Sequence, residues 1–162
     1  MAATFKSLYF GIVFSVFLIS LALAQDENQF IYHGFKESKL HLDGLANILP
    51  NGLLLLTNST EHKKGHAFYP SPIKFNTFTS TPFSFSTNFV FGMYYYGHGM
   101  AFVISPTLDF SQADDGPYFG LLNASNNGLP TNHIPAIELD TDQTFKFDDG
   151  SHVGIDVNSV IF

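Results

Sequence analysis

Phe83, Phe85, Phe89 and Phe91 fall on alternate positions of one short stretch, with Thr87 in the same register and Ser84, Ser86, Asn88 and Val90 between them. A period of two belongs to a β-strand, whose successive side chains point to opposite faces. This spacing predicts a strand with a buried aromatic face and a mostly polar outer one. No stretch beyond residue 24 shows helical spacing. Short apolar or alternating runs recur instead between Gly, Pro, Asn, Ser and Asp, the all-β pattern. Ala46–Leu49 and Leu53–Thr57 flank Pro50-Asn51-Gly52 and predict a hairpin. Met100–Ser105 reads as a more fully buried strand that ends at Pro106, and Tyr118–Leu122, Ile134–Thr141 and His152–Val157 read as further strands. Beyond residue 24, 15 of the chain's 19 Phe supply bulk for a core between two sheets, so the expectation is an all-β sandwich in one domain.

Residues 1–24 read as a secretory signal peptide. Lys6 provides the positive start, Leu8–Leu23 the apolar run, and Ala22-Leu23-Ala24 the small-residue exit. Residues 25–162 then form the mature part, expected to be secreted or extracellular. The net charge of −7 argues against nucleic acid and anionic lipid as partners and leaves cations and neutral ligands. There is no cysteine, so core size, metal or oligomerisation has to stabilise a secreted chain of this kind. Asn58-Ser59-Thr60 and Asn123-Ala124-Ser125 are N-glycosylation acceptors in polar surroundings.

The stretch "ELDTDQTFKFDDGSH" at 138–152 concentrates charge. Glu138, Asp140 and Asp142 alternate with Leu139 and Thr141, which puts three carboxylates on one strand face. Asp148, Asp149 and His152 follow. Like charges this close repel unless something holds them together. On the residues alone, three readings stand: a solvated acidic strand and loop, a cation site, or the paired carboxylates of a sandwich-fold glycoside hydrolase. Retaining hydrolases need carboxyls about 5–5.5 Å apart. The absence of Trp, a common stacking residue of sugar-cleaving clefts, counts against the enzyme.

Seven blocks in order carry a family resemblance: "FIYHGF" at 30–35 with "LDGLANILPNGLLLLTN" at 42–58, "GHAFYPSPIKF" at 65–75, "FSFSTNFVF" at 83–91, "GHGMAFVISP" at 97–106, "YFGLLNASNNG" at 118–128, "AIELDT" at 136–141 and "HVGIDVNSV" at 152–160. They resemble the legume-type (L-type) lectin domain, and most closely the extracellular lectin domain of plant lectin receptor-like kinases. The resemblance implies a two-sheet jelly-roll sandwich and carbohydrate binding without catalysis; no kinase domain is read in this chain. In the family, "HVGIDVNSV" stands near the middle of the domain. The resemblance therefore implies that roughly the final third is missing, with open sheet edges that favour association, including a homodimer.

The resemblance also assigns sites. Glu138, Asp140, Asp149 and His152 resemble the ligands of a manganese-type ion. Asp140 and Asp149 would bridge to calcium, Asp142 would lend its carbonyl, and Thr144 stands where the family has an Asn or Asp ligand. The loop between Asp149 and His152 is only Gly150-Ser151. For sugar, His98 replaces the family's loop Asp, Gly116 matches the backbone N–H donor but is followed by Pro117, Thr144 replaces the shared Asn, and Asp142 replaces the aromatic platform. The matching family bond also makes Gly97–His98 a candidate cis peptide. The expectation is a lectin module for a glycan or other cell-surface ligand, with a degraded monosaccharide site. The alternative is a non-catalytic interaction module that has lost sugar binding.

Overall fold

The computed structural model describes residues 30–74, 84–94, 97–141 and 151–160. It divides into two compact units, 1–33 and 34–162. Of the first only residues 30–33 are described, and the leader read at 1–24 lies outside the described residues.

The second unit is built from short antiparallel strands. β1 (His41–Gly44) pairs with β4 (Gly65–Phe68), and β2 (Asn47–Ile48) with β3 (Leu54–Leu55). The second pair is the hairpin that Pro50-Asn51-Gly52 predicts. Gly52 N–H donates to Leu49 O at 2.8 Å, Leu49 N–H donates to Leu53 O at 2.9 Å, and Asn51 Oδ1 accepts from Leu53 N–H at 3.1 Å. Gly52 turns at φ +87°, a conformation that costs glycine nothing. β5 (Gly99–Val103), β6 (Pro135–Asp140) and β7 (Val153–Val157) form a three-stranded sheet in that order.

The register of this sheet sorts its residues by face. Ala101 stands opposite Glu138 and Val103 opposite Ala136, while Glu138 faces Gly154 across the β6–β7 pair. Ala136, Glu138 and Asp140 are buried, so the buried face runs from apolar at one end to acidic at the other. Its apolar end packs into the core of Phe110, Leu121, Leu122, Ile134, Ala136 and Val160, with Phe68 of β4 against it. Leu122 is 2 % exposed and sits at the centre. The opposite face carries Phe102, Ile137, Val153, Ile155 and Val157, most of it exposed.

Three sequence expectations are corrected. Residues 84–94 form no strand and are exposed, and Phe85, Phe89 and Phe91 are about half accessible rather than buried. Phe85 and Phe89 stack on Phe102 at 6.3 and 6.0 Å, but no strand pairs with their segment among the described residues. Phe83 lies outside the described residues. Tyr118–Leu122 is a turn, not a strand: a 3-10 turn over Gly116–Tyr118 is followed by Phe119 at φ +54° and Gly120 at φ +70°. The strand expected at Met100–Ser105 is Gly99–Val103 and only half-buried, because its second face lacks cover.

Lys64 braces the loop that closes the core. Its Nζ donates to the carbonyls of Phe110 (2.7 Å) and Ala113, with Ser111 O farther away at 3.4 Å. The ammonium is partly buried among carbonyls that have few alternatives. Lys64→Met keeps the aliphatic stem and removes the donors. It is expected to lower unfolding stability by about 2 kcal/mol, read as a lower urea midpoint at unchanged slope.

Candidate cation and sugar site

Strand alternation carries Glu138 and Asp140 to the buried face of β6, where they are 3 % and 5 % exposed. β7 brings its own polar residues to the same face. His152 precedes it and exchanges backbone hydrogen bonds with Asp140 at 3.0 and 3.2 Å. His152 Nε2 then lies 3.0 Å from Glu138 Oε1. Asp156 reaches the same carboxylate from two residues beyond Gly154. Gly154 is necessary here, because a Cβ at that position would collide with Glu138 Oε1.

Charge makes this cluster uneasy. Burial raises the Glu138 pKa, the Asp156 charge raises it further, and the hydrogen bond from His152 partly offsets both. Burial also raises the Asp156 pKa. Glu138 Oε2 and Asp156 Oδ2 are buried without a donor for either. Two carboxylate oxygens can meet only through a shared proton or a cation. That arrangement fits a hard cation with carboxylate and imidazole donors, and equally a protonated acid pair closed by His152. Among the described residues no three acidic or imidazole groups converge closely enough to hold a metal by themselves. Asp142, Thr144 and Asp149, the other expected ligands, lie outside the described residues.

His98 and Gly116, two of the candidate sugar-site residues, lie near the acidic end of the same sheet. Thr141 follows β6, donating from Oγ1 to Gly97 O at 2.8 Å and from N–H to His98 O at 3.3 Å. Gly99 pairs with Asp140 at φ +124°, and a Cβ there would strike Leu139 O. The 97–99 loop is thus fastened to the end of β6. Gly116 lies against His98: a Cβ on Gly116 would sit 3.3 Å from His98 Nε2. Two candidate sugar residues distant in sequence therefore meet. The third, Thr144, is outside the described residues. None of the described peptide bonds is cis, so Gly97–His98 is trans and that expectation is corrected. A non-proline cis bond costs about 3 kcal/mol and needs surroundings that enforce it.

Asp156 and Gly154 were not singled out in the sequence. The signal was present: in Val153-Gly154-Ile155-Asp156-Val157 the positions facing Glu138 are the non-aliphatic ones. Both carboxylates of the Glu138–Asp140 pair are buried, and Glu138 is engaged by His152 and Asp156.

A family model for the legume lectin domain matches residues 27–161. The chain is 48 % identical over 155 residues to the L-type lectin-domain containing receptor kinase I.8 of Arabidopsis thaliana, covering 91 % of this chain and 23 % of that protein. It therefore spans about a quarter of the length of that relative. A lectin from Bauhinia forficata in complex with GalNAc superposes with a TM-score of 0.59 at 25 % identity, covering 82 % of this chain and 61 % of that one. The metal-free form of lectin I-B4 from Griffonia simplicifolia gives 0.55 at 26 % identity, covering 77 % and 58 %.

Proposed function

The chain belongs to the legume lectin family, with its all-β jelly-roll fold, and on that premise we propose that it is a non-catalytic, cation-supported carbohydrate-binding module on the outside of the cell. The observation that carries this reading is the meeting of His98 and Gly116 at the end of the strand that bears Glu138, with Thr141 bonded to the His98 loop and His152 against Glu138. Calcium would draw on Asp140, Asp142, Thr144 and Asp149, and a manganese-type ion on Glu138, Asp140, Asp149 and His152. Either ion would neutralise carboxylates that burial leaves poorly satisfied. Extracellular placement is supported by the leader-like residues 1–24 and by the receptor-kinase relative.

The ligand of this site is an extended glycan rather than a lone monosaccharide. A neutral imidazole at His98 cannot accept two adjacent hydroxyls as a carboxylate does, and Pro117 withholds one backbone donor. A glycan-array screen with and without calcium tests this. Calcium-dependent binding of a glycan class, with free mannose, glucose and galactose weaker than millimolar, is the expected result. Submillimolar monosaccharide binding would contradict the degraded site.

A second reading, an interaction module without sugar binding, is favoured by one observation. The imidazole lies against Gly116, where a sugar hydroxyl would otherwise approach the loop. An array blank under all cation conditions would favour it.

A further inference from the structure

The two sequons occupy very different places, and we propose that Asn58 is the N-glycan acceptor of this chain whereas Asn123 stays unmodified and serves as a brace. Asn58 lies in the exposed stretch 57–63 between β3 and β4. Its Oδ1 accepts from Thr60 N–H at 2.9 Å, and its Nδ2 has no hydrogen-bond partner among the described residues. The nitrogen that takes the sugar therefore belongs to an exposed residue and is unengaged among the described residues.

Asn123 is half-buried directly after the core residues Leu121 and Leu122. Its Nδ2 donates to Gln112 O at 2.8 Å, across to the loop that Lys64 holds. Its Oδ1 accepts from Ser125 N–H at 2.9 Å, Ser125 Oγ at 2.6 Å and Asn126 N–H at 3.0 Å. The sequon's own hydroxyl is thus used inside the turn. A sugar on Nδ2 would crowd the Gln112 carbonyl and loosen this turn beside the core.

The reaction is a group transfer from a lipid-diphosphate-linked oligosaccharide of the secretory host. The Asn58 Nδ2 attacks the anomeric carbon. The carbon–oxygen bond to the diphosphate breaks, the lipid diphosphate leaves with the bonding pair, and the amide proton passes to base. No oxidant or reductant is involved. The proposal rests on residues 1–24 delivering the chain to the secretory lumen, not on what the sugar site binds.

The test is expression of the full chain in a secretory host with one additional Asn-Ala-Thr acceptor appended at the C-terminus to report lumen entry. Occupancy is read by glycosidase release in heavy-oxygen water and peptide mass mapping, on secreted and retained fractions. The expected secreted protein is occupied at Asn58 and at the appended acceptor and empty at Asn123. Asn58→Gln should lose one glycan mass and Asn123→Gln none. An occupied Asn123 in the secreted fraction overturns the proposal, as does an empty Asn58 beside an occupied appended acceptor. An empty appended acceptor overturns the secretory reading and the proposal with it.

Discussion

Calcium with manganese, added to the chelated protein at a hundredfold excess over Kd, is expected to raise its melting temperature by about 10 °C. Mass action supplies about 2.7 kcal/mol at that excess, and each kcal/mol moves a domain of this size by roughly 4 °C. The cause is the Glu138–Asp156 pair, two carboxyls each with one buried oxygen lacking a donor. pH gives the sign. Both pKa values are raised in the fold, so the folded state holds protons that the unfolded chain has released. This contribution to stability is full below the ordinary carboxylate range and is lost as pH rises through the higher folded values. The chelated protein should therefore melt lower at neutral than at mildly acidic pH, and the cation effect should grow as pH rises. Glu138→Gln separates the causes. It supplies an amide donor to Asp156 and removes one charge, so the chelated variant should melt higher than the parent while its response to the manganese-type ion is lost. Gly154→Val, which pushes a side chain into Glu138, should lose the response and stability together. Melting curves that are identical in excess chelator and in calcium with manganese would sink the cation site.

Local chemistry made some parts of this fold legible in the sequence. The 46–57 hairpin follows from Pro50-Asn51-Gly52, which can do little else but turn. β6 and β7 follow from alternation, and so does the placement of Glu138 and Asp140 on one face. The aromatic run at 83–91 failed for an instructive reason. Alternation specifies which residues share a face, but burial needs a partner layer, and Phe85 and Phe89 find only Phe102. Tyr118–Leu122 failed because Leu121 and Leu122 are core residues presented by a turn, where apolar content says nothing about backbone path. The candidate site was legible in half. Glu138 and His152 meet, as do His98 and Gly116, but Asp156 resembled an ordinary strand residue until the register set it beside Glu138.

The chain is expected to self-associate through the outer face of β5–β6–β7, with a second copy as the expected partner. Val153, Ile155 and Val157 are 68 %, 82 % and 64 % exposed, with Ile137 at 37 % beside them. No charged side chain interrupts the aliphatic row of β7 on that face, since Asp156 points to the other side with Gly154. A contiguous apolar patch of this kind on a monomer marks an interface or an aggregation site. Burying a Val or Ile side chain is worth about 1.5–3 kcal/mol, so three of them outweigh much of the cost of pairing. The free edge of β7 adds unpaired backbone groups among the described residues. Ile155→Lys with Val157→Lys places two like charges in the exposed aliphatic row of β7. Neither residue belongs to the buried core, so the change in unfolding stability should stay within about 0.5 kcal/mol per site. Sedimentation of the parent should show mass rising with concentration from about 10 µM upward, and the double variant should run as a monomer over the same range. A parent that stays monomeric throughout, or a double variant that associates as strongly as the parent, would place the contact elsewhere. Because Lys at both positions leaves Glu138, His152 and His98 untouched, the variant should also retain the cation-induced rise in melting temperature. Loss of both properties together would mean that association, rather than the cation, holds the acidic end of the sheet in place.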